Sequence, residues 1–271
     1  MSEQVLRGAV LGYPIAHSLS PTLHQAAFKI LGIKGEYSAI EVKSGELKAF
    51  LEKHGNDFDY FSLTMPLKEE ALDLELKIDE LGVRIQSLNT LVRSGSEWSA
   101  TSTDGSGFVQ ALASAGYQRF DKVLILGAGG TARAVAGALD GLANSVDVMR
   151  RSVRRSPAIA ACFKETECNF LDWDDLVDVR EYDLVVNTTP SGAADLVAEN
   201  LPREVNGLLF DVLYKPWPTL LARRWSDAGG AILNGFELLL YQGIDQLALV
   251  TGKDFGAIAP ELRVILSKAI V

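Results

Sequence analysis

The sequence predicts an α/β protein of two domains. Three observations carry that reading: strand-like and helix-like segments alternate twice along the chain, a glycine-rich turn separates a continuously apolar strand from a helix, and 271 residues are long for one core and comfortable for two. The first domain is expected to be α/β with a mainly parallel sheet, taking residues 1–104 plus 236–271. The second, residues 105–235, is expected to be a doubly wound sheet.

The elements follow in order. "RGAVLG" precedes "PTLHQAAFKILG", "EYSAIEV" precedes "SGELKAFLEKHG", and "YFSLTM" precedes "KEEALDL", each pair a strand followed by a helix. "NTLVRSGSEWSATST" carries two short β-like runs around a glycine turn, a hairpin or a paired crossover. "DGSGFVQALASAG" reads as the helix that links the domains. A second series follows: "KVLILG", "GTARAVAGAL", "SVDVMR", "YDLVVNTT" and "LLFDVLY", whose strands are rich in Val, Leu and Ile throughout, as burial on both faces requires. From Phe236 the apolar positions Leu239, Leu240, Gly243, Ile244 and Leu247 recur with helical spacing, and these terminal helices are expected to return to the first domain.

Composition narrows the class of partner. The chain is 48% hydrophobic and 23% charged, with 26 basic against 35 acidic residues and a formal charge of −9. Nucleic acids and anionic membranes call for a broad positive field, so neither is expected as a partner, and an anionic ligand must be held by local groups. The opening "MSEQVLRGAVLGYPIA" lacks a basic, apolar leader pattern, and "FELLLYQGIDQLALV" is broken by polar residues, which reads as a cytoplasmic protein without a membrane span. Cys162 and Cys168 have no histidines near them, so no metal site is expected and both read as small apolar residues.

"VLILGAGGTARA" places Gly127, Ala128, Gly129, Gly130, Thr131 and Ala132 between strand and helix, the spacing of a dinucleotide-binding turn. Glycine allows the tight turn and the approach of backbone N–H groups to a pyrophosphate, and the helix N-terminus adds positive potential. The second domain is therefore expected to be of the Rossmann type. Asp147 lies 20 residues beyond Gly127, where NAD binders place a carboxylate for the ribose. The strand runs on past it, however, and ends in Arg150, Arg151, Arg154 and Arg155. Guanidinium groups suit a phosphate dianion, so the expected cofactor is NADP.

In "GYPIAHSLSP", Ser20 before Pro21 reads as a helix N-cap, and Ser18 has no capping role to explain it. Two hydroxyls at a helix N-terminus suit a carboxylate. Lys68, directly after the apolar strand "YFSLTM", reads either as a solvated residue opening a helix or as an ammonium aimed into a cleft. His17 and His24 read as packing residues and His54 as a helix-end cation.

"GYPIAHSLSP", "SLTMPLKE", "SLNTLV", "STDGSGF", "LGAGGTARA", "VVNTTPSG", "DVLYKPWPT" and "GFELLLYQG", in this order, resemble the shikimate dehydrogenase family from Gly12 to Gly252. That resemblance implies an NADP-dependent oxidoreductase of the aromatic amino-acid pathway, acting on a small substrate as a monomer or homodimer. It further implies that Lys68 and Asp104 form the catalytic pair. By the same likeness Ser18 and Ser20 bind the substrate carboxylate; Thr64, Asn89, Asp104 and Gln242 contact its hydroxyls along with Lys68; and Tyr214 lies near nicotinamide or carboxylate. The cofactor motif carries over onto Arg151, Ser152 and Arg155, with Arg150 where the family has Asn, and Thr188 and Gly235 fall in the family's cofactor-side motifs.

Ser62, Ser102, Gln25, Glu237 and Leu238 also depart from the family's usual residues, and Ser102 and Glu237 bear on the choice of ring substrate. The reaction expected is reversible reduction of 3-dehydroshikimate to shikimate. Lys68 then serves either as proton donor or as an electrostatic group beside a water relay. The competing readings are a quinate or aminoshikimate dehydrogenase, and a non-catalytic regulator that binds shikimate or NADPH.

Overall fold

A computed structural model describes residues 5–269; Met1–Gln4, which open the segment read for a leader, and the last two residues lie outside the described part. The chain forms two compact units, one of Met1–Gly107 and Leu239–Val271, the other of Phe108–Leu238.

The first unit contains β1 (Leu6–Gly12), α1 (Ser20–Leu31), β2 (Gly35–Glu41), α2 (Leu47–His54), β3 (Tyr60–Leu63), α3 (Leu67–Glu70), β4 (Lys77–Ile78), α4 (Glu80–Ile85), β5 (Thr90–Ser94) and β6 (Glu97–Thr101). Its strands order as β2-β1-β3-β5-β6-β4. β1 pairs parallel with β2 and β3, and β4 pairs parallel with β6, whereas β5 runs antiparallel to both β3 and β6. "NTLVRSGSEWSATST" is thus a hairpin, turning at Gly95, whose φ is +64°.

α5 (Asp104–Ser114) leads into the second unit, which continues with β7 (Phe120–Leu126), α6 (Gly130–Leu139), β8 (Ala143–Arg150), α7 (Ser156–Ala160), β9 (Glu167–Asp172), β10 (Leu184–Asn187), α8 (Asp195–Glu199), β11 (Leu208–Asp211), α9 (Leu220–Asp227) and β12 (Ala231–Asn234). This sheet has the order β12-β11-β10-β7-β8-β9 and every pairing is parallel. The chain returns to the first unit within α10 (Gly235–Thr251) and ends there in α11 (Ala259–Lys268).

The central strands of the second sheet are those with continuous apolar runs: all four residues of both β10 and β11 are buried. The edge strand β9 carries no such run in the sequence, whereas β12 reads Ala-Ile-Leu-Asn. β9 mixes exposed and half-buried positions, and β12 is half-buried after an exposed Ala231, because each has a neighbour on one side alone. Leu124, Val185, Leu209, Leu221 and Trp225 form the core on one face of this sheet. Leu11, Phe61, Leu63, Leu67 and Leu91 do so in the first unit, each burial stabilising by about 1.5–3 kcal/mol.

Candidate active site

The first sheet brings four separate chain positions to one edge. β5 runs antiparallel to β3, so the start of β5 lies beside the end of β3, with Ser62 opposite Thr90 and the Leu63 N–H on the Asn89 carbonyl at 2.7 Å. β6 then returns alongside β5, with Thr101 opposite Thr90, and delivers Ser102, Thr103 and Asp104 to the same edge. β1 is parallel to β3 and ends there too, the Thr64 N–H bonding the Leu11 carbonyl at 2.9 Å, so the serine segment leaves from this edge.

α3, which carries Lys68, is one turn long and continues as a 3-10 turn over Ala71–Asp73. A helix this short does not stand alone. Leu67 is fully buried, the Lys68 carbonyl accepts from Leu88 N–H at 2.9 Å, and the Glu70 carboxylate accepts from the N–H groups of Gly45 and Leu47 at 2.8 and 3.0 Å, at the start of α2. Those ties fix the lysine. Its ammonium donates to Asp104 Oδ2, with the lysine side chain 17% and the aspartate side chain 6% exposed.

Asp104 opens α5, where the helix N-terminus favours its charge. Its other oxygen, Oδ1, accepts from Asn89 Nδ2 at 2.7 Å. The same Nδ2 faces Gln242 Oε1 at 3.2 Å and Thr103 Oγ1 at 3.1 Å, while Asn89 Oδ1 accepts from Thr103 N–H at 2.8 Å and Thr90 Oγ1 at 2.7 Å. Gln242 reaches this cluster because α10 packs backbone to backbone against α5: a Cβ on Gly107 would lie 2.6 Å from the Gln242 nitrogen. The structure thus joins Lys68, Asn89, Asp104 and Gln242 in one hydrogen-bonded group.

Ser18, Ser20 and Thr64 are not drawn into that group. The expected N-cap role of Ser20 is corrected: α1 starts at Ser20 itself, with Leu19 in the cap position and no side-chain cap bond. Ser20 is buried, and Ser18 Oγ instead accepts from the Ser20 N–H at 3.3 Å. Ser18 therefore does have a local structural job. Beneath this edge His24 stacks on Tyr37 at 4.0 Å between ring centroids and its Nδ1 shares a hydrogen bond with Tyr60 OH at 2.8 Å. Full burial lowers its pKa to about 3, so the ring is neutral.

In the second unit the glycine turn follows β7. Gly127 has φ +105°, a conformation L side chains rarely adopt. Gly129, at the N-cap of α6, has φ −87°, and a Cβ there would meet nothing within 4 Å. Among the described residues nothing demands glycine at 129, so its missing side chain leaves room for a group from outside, as a pyrophosphate at this helix N-terminus requires. Thr188 Oγ1 donates to the Leu126 carbonyl at 2.8 Å and would lie 2.7 Å from a Cβ on Gly127. Gly235 is explained by packing, since its Cβ would fall 2.1 Å from the Val212 carbonyl oxygen.

Asp147 is buried inside β8, accepts from Tyr182 OH at 2.7 Å and pairs with Lys122 at 3.3 Å, so it is engaged within the sheet. Beyond the strand, Arg151, Ser152, Arg154 and Arg155 are exposed. Arg150 differs from them. Its guanidinium bonds Ser156 Oγ at 2.7 Å and the Leu171 carbonyl at 3.1 Å, pairs with Asp172 and lies over the Phe170 ring, tying the arginine turn to β9. Tyr214 lies in the turn after β11, its ring 5.5 Å from that of Phe236. That turn is held by Asp211, whose carboxylate accepts from Asn187, Leu213 N–H and Thr219; burial raises its pKa and these bonds oppose the rise.

Comparison with known proteins adds to this geometry. Residues 10–91 match the family described as the shikimate dehydrogenase substrate binding domain, and residues 111–212 match that of shikimate / quinate 5-dehydrogenase. A shikimate dehydrogenase (NADP(+)) of Exiguobacterium sibiricum is 33% identical over 248 residues, 90% of this chain and 92% of its own length. The chain belongs to the shikimate dehydrogenase family. The crystal structure of the shikimate dehydrogenase of Mycobacterium tuberculosis superposes with a TM-score of 0.87 at 31% identity, covering 97% of this chain and 99% of that one. The shikimate 5-dehydrogenase of Thermus thermophilus, solved in complex with NADP(H) and shikimate, gives 0.83 at 33% identity over the same shares.

Against this shikimate dehydrogenase background, three buried residues around Asn89 escaped sequence reasoning: Thr90, Thr103 and Gln246. Gln246 did leave a signal. It is a polar residue four positions after Gln242, flanked by the apolar stripe of α10, yet it is fully buried. Among the described residues no helix is long and apolar enough to cross a membrane.

Proposed function

We propose that this chain catalyses the reversible, NADPH-dependent reduction of 3-dehydroshikimate to shikimate. The observation that carries the reading is the buried Lys68–Asp104 pair, held by Asn89 beside Gln242, in a chain of the shikimate dehydrogenase family. A ring-ketone reduction needs such a pair, because charge develops on the carbonyl oxygen as carbon is reduced.

NADPH, when bound, supplies the hydride to the carbonyl carbon. Lys68 stabilises the developing alkoxide and gives it a proton from Nζ. Asp104 holds the ammonium in place through Oδ2 and receives a substrate hydroxyl, while the Asn89 N–H on Oδ1 keeps the carboxylate plane fixed. Thr64, Asn89 and Gln242 contact ring hydroxyls, and Ser18 and Ser20 hold the ring carboxylate at the start of α1. Tyr214 contacts the nicotinamide or the carboxylate.

Residues 1–104 with 236–271 act as the substrate part and 105–235 as the NADP part. The turn from Gly127 to Ala132 takes the pyrophosphate, with Thr188 and Gly235 shaping the backbone around the cofactor. Arg151, Ser152 and Arg155 take the 2′-phosphate, and Arg150 steadies their turn from β9. The test is to follow NADPH absorbance with purified protein and 3-dehydroshikimate, beside quinate and aminoshikimate substrates. Rapid oxidation of NADPH with 3-dehydroshikimate is expected; cofactor binding without turnover on any ring substrate would overturn the reading in favour of a regulator.

A further inference from the structure

Asp104 is the end of a longer series of buried hydrogen bonds. Gln246, on α10, faces the Asn89 backbone carbonyl at 3.3 Å and Thr90 Oγ1 at 3.0 Å through Nε2. A carbonyl can only accept, so the amide NH₂ must point that way and Oε1 must face Ser62, whose hydroxyl lies at 2.8 Å. Ser62 gives its proton to that oxygen and in turn accepts from Tyr37 OH. On the other side, Thr90 Oγ1 has already accepted from Gln246, so its own proton goes to Asn89 Oδ1. With Oδ1 satisfied by Thr90 and by the Thr103 N–H, the Asn89 NH₂ is turned to Asp104.

These assignments are mutually consistent, and the direction runs from Tyr37 to Asp104. Tyr37, Ser62, Thr90, Asn89, Asp104 and Gln246 are each no more than 5% exposed. In so dry a setting each bond polarises the next, and a lost member leaves its neighbours without a substitute from solvent. Gln246 grips Asn89 twice, at the backbone carbonyl and, through Thr90, at the side-chain oxygen.

We propose that Gln246 is a positioning residue for the reduction: its amide sets the direction of these hydrogen bonds and keeps the Asn89 N–H aimed at the Asp104 carboxylate. The proposal rests on the reading that Lys68 and Asp104 carry out ketone reduction. Gln246 touches neither substrate nor cofactor in this role, and reaches Asp104 through Asn89.

The test is a double-mutant cycle on kcat/KM for 3-dehydroshikimate. Gln246→Met keeps length without hydrogen-bonding groups and is expected to lower kcat/KM about fivefold or more, with the affinity for NADPH within about twofold of the parent, the size of one lost neutral hydrogen bond. In an Asp104→Ala background the same change is expected to cost less than about twofold, because the carboxylate it serves is gone. Equal losses in both backgrounds would reduce Gln246 to a packing role and overturn the proposal. If Gln246→Met does not fold, Thr90→Val and Thr90→Ser provide the same cycle: Ser keeps the hydroxyl and is expected to retain activity, Val to lose it, and equal behaviour of the two overturns the proposal. A parent protein without any turnover would overturn the reduction itself, an outcome distinct from an active parent whose losses are additive.

Discussion

Lys68 Nζ donates to Asp104 Oδ2 across 36 residues of sequence, and both side chains are largely buried at one edge of the first sheet. The pair exists because β5 reverses direction between β3 and β6. That reversal sets the end of β3, the start of β5 and the end of β6 side by side. Removing one partner from a buried pair leaves an uncompensated charge, so the two residues are bound to one another structurally as well as chemically.

Gly127 and Gly129 separate two uses of glycine. Gly127→Ala is expected to destabilise the protein by about 1–3 kcal/mol, since φ is +105° there and the new Cβ meets Thr188. Gly129→Ala, with open space around its Cβ, is expected to leave the unfolding temperature unchanged while weakening NADPH. Thermal unfolding and a cofactor titration on each variant check this; loss of stability in Gly129→Ala without loss of NADPH binding would contradict it.

Arg151→Ala is expected to raise the Kd for NADPH by about 10–100-fold, the worth of a hydrogen bond between charged groups, and to change NADH binding by less than about threefold. Arg150, in contrast, contacts Asp172 and β9, so Arg150→Ala is expected to act through the stability of the turn. Parallel titrations with the two cofactors decide the point. Equal weakening of both by Arg151→Ala would remove it from the 2′-phosphate.

His24 is a source of acid sensitivity. Its pKa is about 3 in the folded protein, lowered by desolvation, against 6.5 for the free side chain. The unfolded chain therefore binds a proton between those values and the folded one does not. Stability from this group is full above pH 6.5 and falls by up to about 1.4 kcal/mol per pH unit below it, until pH 3 is reached. The titratable groups facing it, Tyr37 and Tyr60, have pKa values raised by burial and stay neutral in this range, and a hydrogen bond with Gln246 partly opposes the lowering. His24→Phe is expected to flatten the pH dependence of urea unfolding between about pH 6.5 and 4; an unchanged slope would show that other groups set it.

Much of the fold was legible because it is written in short-range patterns. The buried runs of β7, β10 and β11, the helical stripe of α10 and the glycine turn each declare themselves within a dozen residues. The edge strand β9 did not, since an exposed face removes the apolar run that marks a buried strand. Within the candidate site, the arginine turn and the serine segment were local signals, whereas pairing Lys68 with Asp104 needed a family resemblance. Gln246 and Thr90 were missed because a polar residue beside an apolar run does not reveal which distant group it bonds. The Ser20 cap was misplaced by one residue, since the cap position is Leu19, and propensity alone does not resolve helix ends that finely.

The most direct measurement is single-turnover reduction of 3-dehydroshikimate by Lys68→Ala with saturating NADPH. Loss of about 10²–10⁴ in rate is expected, with the Kd for NADPH within about twofold of the parent. A variant that turns over at the parental rate would contradict the role of the Lys68–Asp104 pair in the chemistry.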